Sequence, residues 1–307
     1  MDALLCRSIR CRIVEICNCV YRQEYNLIYE YWYVLEQELL GVLRENEAIY
    51  AMVNEIQKCM EQCNFLRVRD ILTYEIDVFL LQQLNSLSQS ERKRLAKEAK
   101  EQNEQALQTY HQDVWELLRV GSDRERIECD YAGAENASIS VLEGNTKYRL
   151  FSVINPWLEC NGYVNAMEIA GRISEEMYML GFGGGYVIGE LKKRYPEMKI
   201  KVLIPNLDIF GAVMSSVPLS HILLYKNLEL RYEPMWLNFF TILESNMKMG
   251  NKNAFFIDKQ ELRACTRSAG IADQLVKYYN SQYWKTGIAD NVGEKIYKFI
   301  ADNYSHF

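Results

Sequence analysis

Residues 176–210 read "EMYMLGFGGGYVIGELKKRYPEMKIKVLIPNLDIF", and this stretch decides the predicted fold. Two short apolar runs, 176–182 and 200–205, are each followed by a segment with the three- and four-residue spacing of a helix. Apolar strands that alternate with helices are typical of a parallel sheet covered by helices. The stretch therefore predicts an α/β fold with a Rossmann-like parallel sheet and flanking helices.

The same alternation continues toward residue 258. The runs "NLELRYE" and "NAFFID" predict a third and a fourth strand at residues 227–233 and 253–258, and Pro234 begins the helix between them. Each strand–helix–strand connection is expected to be right-handed. From residue 259 onward the sequence again favours helix.

The first part of the chain lacks the alternation of strands and helices. Residues 1–120 place apolar side chains at helical steps, as in Leu35, Leu39 and Leu43. After residue 120, "RIECDYAG" and "ASISVLEGNTKYRLFSV" are short β-type runs separated by turn residues, which predict a small β hairpin region. We therefore expect a helical N-terminal domain, 1–120, and a Rossmann-type α/β domain with a helical C-terminal tail, 121–307.

Composition and charge exclude several classes of protein. The net charge is −6, so no basic field attracts nucleic acid. No apolar run reaches the roughly 18 residues of a membrane-spanning helix. The first 23 residues are interrupted by charged side chains such as Arg10 and Glu15, so no secretory signal is predicted. We expect a cytoplasmic protein with no nucleic-acid partner and no membrane span.

The nine cysteines invite a metal hypothesis, which their spacing disfavours. Cys17 and Cys19 lie in helical sequence and would face different sides of a helix. Cys59 and Cys63 also lie in helical sequence, whereas structural zinc ligands usually come from loops or knuckles. We predict no metal site and interpret the cysteines as reduced, mostly buried small side chains.

The glycine-rich turn, residues 181–185, is the main candidate for a ligand site. It follows a predicted strand and precedes a helix, where open α/β sheets bind ligands and where a helix N-terminus offers N–H groups. The spacing lacks both the G-x-G-x-x-G pattern and a Gly-Lys-Ser/Thr sequence. It is nearer the G-x-G-x-G turn of S-adenosylmethionine methyltransferases, but Ile204 stands where such a site needs a ribose-binding carboxylate. A plain tight turn and a ligand site both remain open, and no cofactor is predicted.

Other residues around this turn complete the candidate set. Glu159 lies in the first turn of a helix that Asn155 and Pro156 begin, and Asn206 could hydrogen-bond a hydroxyl group. The sequence has no H-E-x-x-H or G-x-S-x-G motif, and no catalytic residue is assigned. The candidate ligand-binding residues are Gly181, Gly183, Gly184, Gly185, Tyr186, Glu159 and Asn206.

Three pieces of the sequence resemble the N-terminal domain of the Maf family, the motility-associated-factor glycosyltransferases that modify bacterial flagellins. The turn 181–187, "GFGGGYV", is similar to the family's G-L-G-L-G-Y-H. The segment 204–210, "IPNLDIF", is similar to E-P-x-x-x-x-F, and 155–160, "NPWLEC", is similar to D-P-x-x-E-A. Here Val187 replaces the family's histidine, and the motif that opens the family's catalytic domain is absent.

The resemblance implies an N-terminal module without its sugar-transfer domain. Its implied role is that of a non-catalytic accessory protein in flagellin or surface-glycan modification, which binds a protein partner or a sugar nucleotide. It also implies that a bulky side chain is tolerated at Gly184, where relatives carry one. Two alternatives remain: a methyltransferase-like or nucleotide-binding enzyme that uses the Gly181–Gly185 turn, and a protein-interaction scaffold with 1–120 as its docking arm.

Overall fold

A computed structural model describes most of the chain. The described residues are 3–43, 46–85, 89–119, 126–130, 137–143, 146–151, 155–234, 237–249 and 254–266. They form helices, one antiparallel sheet and one parallel sheet, so the predicted α/β class is confirmed. None of the helices in these ranges is both long enough and apolar enough to cross a membrane.

The chain divides into two compact units, Met1–Glu91 and Arg92–Phe307. The domain boundary predicted from the sequence lies after residue 120. Residues 92–119 group with the second unit because their buried polar side chains bind its backbone. Asn103 Nδ2 donates to the carbonyl oxygens of Met214 and Val217 at 2.9 and 2.6 Å.

The described residues of the first unit form helices. Their bounds are α1 Ala3–Arg22, α2 Tyr25–Leu43, α3 Glu47–Glu61, α4 Phe65–Ile71, a π-helical turn Leu72–Ile76, and α5 Asp77–Asn85. Asn46 and Asn64 cap α3 and α4, each accepting a hydrogen bond from a backbone N–H in the first turn. Between α1 and α5, Arg10 donates to both carboxylate oxygens of Asp77 at 2.7 and 3.0 Å, with both side chains buried.

The second unit begins at Arg92, three residues inside the first of two helices, which an antiparallel sheet follows. The elements are α6 Gln89–Tyr110, α7 Gln112–Arg119, β1 Ile127–Asp130, β2 Ser138–Glu143 and β3 Thr146–Arg149. The strand order is β1-β2-β3, and Glu143 pairs with Thr146 where β2 turns into β3. The short β-type runs predicted from the sequence therefore form a real sheet.

The parallel sheet and its helices follow. Their bounds are α8 Pro156–Ile169, β4 Glu176–Leu180, α9 Tyr186–Arg194, β5 Lys199–Ile204, α10 Leu207–Ser216, α11 Ser220–Leu223, β6 Leu228–Tyr232, α12 Leu237–Met249, β7 Ala254–Ile257 and α13 Lys259–Thr266. All strand pairs are parallel, as predicted. The predicted helical tail begins with α13, and residues 267–307 lie outside the described residues.

The order of strands in the parallel sheet is β6-β5-β4-β7. The chain proceeds outward from β4 to β6 and then returns to add β7 on the other side of β4. Met177 of β4 consequently pairs with Ile200 of β5 on one side and with Ala254 of β7 on the other. The reversal between β4 and β7 is a topological switch point, and open α/β sheets bind ligands at the carboxyl ends of the strands beside it.

Candidate functional site

A cavity of about 220 Å³ lies at the switch point, beside the ends of β4 and β7. Its walls come from three places: the glycine turn after β4, the residues that follow β7, and the start of α8. Pockets for drug-sized ligands usually measure about 300–1,000 Å³. The cavity therefore suits a molecule smaller than a dinucleotide.

The glycine turn adopts the backbone that its composition predicts. Gly181, Gly183 and Gly185 have φ values of +94°, +58° and +76°. A side chain in this left-handed region is strained by about 1–3 kcal/mol, so glycine is required there. Gly185 directly precedes α9, so this helix begins where the turn ends.

A buried carboxylate accepts hydrogen bonds from the backbone of the glycine turn. Glu261 Oε2 accepts the N–H of Gly183 at 2.6 Å, and the N–H of Phe182 also donates to this carboxylate. The Glu261 side chain is fully buried, and its second oxygen, Oε1, has no hydrogen-bond partner among the described residues. Two backbone donors of the turn, the N–H groups of Gly183 and Phe182, are thus occupied by the protein itself.

Asp258 places Glu261 in this position. Asp258 Oδ1 accepts the N–H of Glu261 at 2.8 Å and so caps the first turn of α13. The Asp-x-x-Glu spacing is that of a capping box, in which the glutamate normally reaches back to the N–H of the capping residue. Here the N–H of Asp258 donates to Leu180 of β4 at 2.8 Å, so Glu261 turns to the glycine turn instead.

Burial raises the pKa of both carboxyl groups. The pKa of Glu261 is raised chiefly because the buried carboxylate has lost its hydration, and the nearby charge of Asp258 raises it further. The pKa of Asp258 is raised by burial and, to a smaller extent, by the charge of Glu159. These carboxyl groups therefore hold protons to a higher pH than exposed ones.

Helix α8 supplies the third wall. Asn155 Oδ1 accepts the N–H of Leu158 at 3.1 Å and Pro156 fills the first helical position, as predicted. On the same helix the hydroxyl group of Tyr163 donates to Glu159 Oε1 at 2.7 Å. Burial raises the pKa of the Cys160 thiol, which lines the cavity, and so favours its protonated form.

A buried polar network fastens α8 to α9. Asn161 Nδ2 donates to Glu190 Oε1 at 3.0 Å, and Arg194 Nε donates to the same oxygen at 2.6 Å. Arg194 also donates to Asn165 on α8 at 2.7 Å. The network fixes the helix that carries Glu159 against the helix that follows the glycine turn.

Aromatic side chains form much of the remaining cavity wall. Tyr186 is buried, packs edge-on against Phe151 at 5.3 Å between ring centroids, and donates its hydroxyl to the carbonyl of Ala137 at 2.7 Å. Tyr163 packs against Phe256 at 6.2 Å and remains 43% exposed, so the cavity reaches the surface of the unit.

Four of the seven residues that the sequence singled out line this cavity: Gly183, Gly184, Tyr186 and Glu159. The other three lie outside its lining. Asn206 Oδ1 accepts the N–H of Ile209 at 2.9 Å and caps α10. Gly181 and Gly185 shape the turn through their backbone conformation.

The expectation that Gly184 tolerates a bulky side chain is wrong for this chain. A Cβ atom built on Gly184 would overlap the Tyr186 ring and lie 2.9 Å from Phe151 Cε2. Both rings belong to the packed core around the turn. Packing therefore restricts Gly184 to a glycine, whereas Gly181, Gly183 and Gly185 are restricted by packing and by their positive φ values together.

Sequence reasoning missed the residues that come after β7. Asp258, Lys259 and Gln260 line the cavity, and Glu261 accepts a hydrogen bond from the glycine turn that forms one of its walls. The available signal was the predicted strand "NAFFID" ending in an acidic residue, followed three residues later by a glutamate. The side chains of His, Cys, Asp and Glu in the described ranges nowhere cluster as a set that could hold a metal ion.

No family model matches the chain, and neither a curated protein nor a solved structure matches it.

Proposed function

We propose that this protein binds a small molecule in the cavity between the ends of β4 and β7 and acts by binding rather than by catalysis. The observation that carries the proposal is the 2.6 Å hydrogen bond between Glu261 and Gly183, beside a cavity at the switch point of the sheet. The glycine turn is completed by a carboxylate of the protein, and the cavity beside it is bounded by polar side chains and aromatic rings.

This arrangement disfavours a phosphate-containing cofactor. A phosphate group that used Gly183 N–H would have to replace Glu261 as its acceptor, and it would lie beside the carboxyl groups of Asp258 and Glu159. Ile204 ends β5 fully buried, so the ribose acceptor of a methyltransferase-like site is also lacking at that position. The alternative of an S-adenosylmethionine or nucleotide enzyme gains no support from the geometry.

The biological setting is proposed from the resemblance to the Maf family. Three motifs in the family's order suggest a cytoplasmic accessory protein in flagellin or surface-glycan modification. Under this proposal the cavity binds a sugar-related ligand through the sugar and not through the phosphates of a sugar nucleotide. The support is the cavity, whose volume of about 220 Å³ suits a single small ring.

Calorimetry on the purified chain tests the binding proposal. The ligand panel comprises S-adenosylmethionine, NAD, CMP, a CMP-activated nonulosonic acid, free neutral sugars and amino sugars. We expect a ligand among the free sugars and amino sugars and none among the nucleotides. A nucleotide that binds near micromolar affinity, about −8 kcal/mol, would contradict the proposal.

A cavity-filling variant locates the binding site. Phe256→Trp enlarges a ring in the cavity wall and is expected to weaken binding. Ile169→Trp adds the same ring to α8 at a position that is 73% exposed and serves as the matched control. Equal binding by both variants would place the ligand elsewhere on the protein.

A second candidate function, protein interaction, is favoured by the first unit. Tyr25, Tyr29 and Tyr33 recur every four residues on α2 and are 43%, 45% and 66% exposed. Exposed aromatic residues that line one helix face are typical of interaction surfaces. If the flagellin setting is correct, titration with purified flagellin should show binding that Tyr33→Ser weakens, and unchanged affinity in that variant would exclude this face.

A further inference from the structure

The charges around the cavity identify the chemistry of its ligand. Two acidic side chains line it from different elements, Glu159 on α8 and Asp258 after β7. Among the described residues that line the cavity, Lys259 is the one cationic side chain. The balance is therefore negative, and a ligand that carries positive charge reduces the repulsion between the carboxylates.

The aromatic rings add a second, independent observation. The cavity is lined by five aromatic side chains: Phe151, Tyr163, Phe182, Tyr186 and Phe256. The faces of aromatic rings attract cations, and cages of such rings bind quaternary ammonium groups in proteins. A bare metal ion would instead need a set of oxygen, nitrogen or sulfur ligands, and the described residues provide no such set here.

From these two observations we propose that the cavity binds a small organic cation, a ligand whose ammonium group lies between Glu159 and Asp258 and whose carbon atoms contact the aromatic wall. The inference rests on the proposed binding function and specifies its ligand class. It applies equally to an amine, an amino sugar and a quaternary ammonium compound, because all three present the same charge to the carboxylates.

Proton release provides a signature of this mode of binding. The titratable groups at the cavity are Glu159, Cys160, Tyr163, Tyr186, Asp258 and Lys259, with Glu261 behind the turn. Burial raises the pKa of Asp258, so part of its population is protonated when the cavity is empty. A cation favours the deprotonated form, so binding should release protons and affinity should rise as the pH rises.

The test compares charged probes with neutral molecules of nearly the same shape. Choline is paired with 3,3-dimethylbutan-1-ol, in which carbon replaces the charged nitrogen, and glucosamine is paired with glucose. Calorimetry is carried out on the full chain in two buffers of different ionisation enthalpy, so that proton release is measured together with affinity. We expect one charged member to bind at least about tenfold more tightly than its neutral partner.

Two isosteric variants locate the charge effect. Glu159→Gln and Asp258→Asn each remove one negative charge, and asparagine still caps a helix, so α13 keeps its first turn. Each is expected to weaken binding of the charged probe at least about tenfold and to leave the neutral probe unaffected. Glu197→Gln removes a charge from an exposed side chain outside the cavity lining and serves as the control.

The outcomes separate this inference from the proposed function. If a neutral probe binds as tightly as its charged partner and Phe256→Trp abolishes both, the binding function stands and the cation inference is wrong. If Glu159→Gln and Asp258→Asn both bind the charged probe as the wild type does, the cation inference is wrong as well. If no probe binds at about 10 mM, both proposals fail.

Discussion

The carboxylate of Glu261 accepts the backbone N–H of Gly183, a residue 78 positions earlier in the chain, at 2.6 Å and with both groups buried. Glu261 takes the place that an anionic ligand has in other turns between a strand and a helix. The bond joins α13 to the glycine turn and makes the shape of the turn depend on the protein's own carboxyl group.

Removal of this acceptor should destabilise the protein. Glu261→Ala leaves the buried N–H of Gly183 without a partner, which costs about 1–3 kcal/mol of unfolding free energy. Glu261→Gln keeps an acceptor oxygen and should lose less. Urea denaturation measures both, with Glu229→Ala at an exposed position of β6 as the control. Equal stability of Glu261→Ala and the control would show that the bond contributes nothing.

The same carboxyl group gives a pH dependence of stability with a defined sign. Burial raises the pKa of Glu261 in the folded protein above its ordinary value of about 4 in the unfolded chain. The folded state then holds the proton that the unfolded state has already lost. The stabilisation is complete below the unfolded pKa, and it is lost as the pH rises through the folded pKa.

Glu261→Gln cannot lose this proton, so it removes that part of the pH dependence. We expect the difference in unfolding free energy between the wild type and the variant to shift in favour of the variant as the pH rises from about 5 to about 8. Denaturation curves at a series of pH values measure the difference. A difference that stays constant, or that favours the wild type at high pH, would contradict the prediction.

Two glycine substitutions should have opposite effects. At Gly184 an added Cβ overlaps the Tyr186 ring, so Gly184→Ala is expected to cost about 1–3 kcal/mol through overpacking. At Gly162, inside α8, a Cβ meets nothing within 4 Å, so Gly162→Ala should stabilise the helix by about 0.5–1 kcal/mol. Melting curves compare the two variants, and a stable Gly184→Ala would show that the rings can move aside.

A buried asparagine on α6 supplies a further prediction. Asn103 donates to the carbonyls of Met214 and Val217 and accepts the N–H of Leu219 at 2.9 Å. Asn103→Ala leaves these buried groups without that partner, so we expect a loss of at least about 2 kcal/mol. Gln102→Ala, one residue earlier on an exposed face of α6, is the control. Similar unfolding midpoints for the two variants would show that the hydrogen bonds of Asn103 contribute nothing to stability.

The sequence predicted the elements of the parallel sheet because each carries a local signal. Strand β5 is an apolar run, and Asn206 and Pro156 mark the beginnings of helices. The order of the strands has no local signal, since it depends on which edge of the sheet β7 joins. For that reason Asp258 could be recognised as the end of a strand but not as a neighbour of the glycine turn.

The hydrogen-bond partners of buried polar side chains could not be predicted from local sequence patterns either. Asp258 and Glu261 have the spacing of a capping box, and that pattern alone predicts a bond from Glu261 to the N–H of Asp258. The pairing of Asp258 with Leu180 occupies that N–H, and only the tertiary structure reveals it. Gly184 illustrates the same limit, because the ring that excludes a side chain there becomes visible only after folding.

The position of β7 beside β4 has a consequence for biosynthesis. On the ribosome, β4, β5 and β6 emerge and can pair before residues 254–257 are available. Until then β4 is an unprotected edge strand whose bare N–H and C=O groups can pair with another chain. The cavity therefore comes into existence only with the last described strand, and nascent or truncated chains that stop short of it are expected to aggregate or to depend on chaperones.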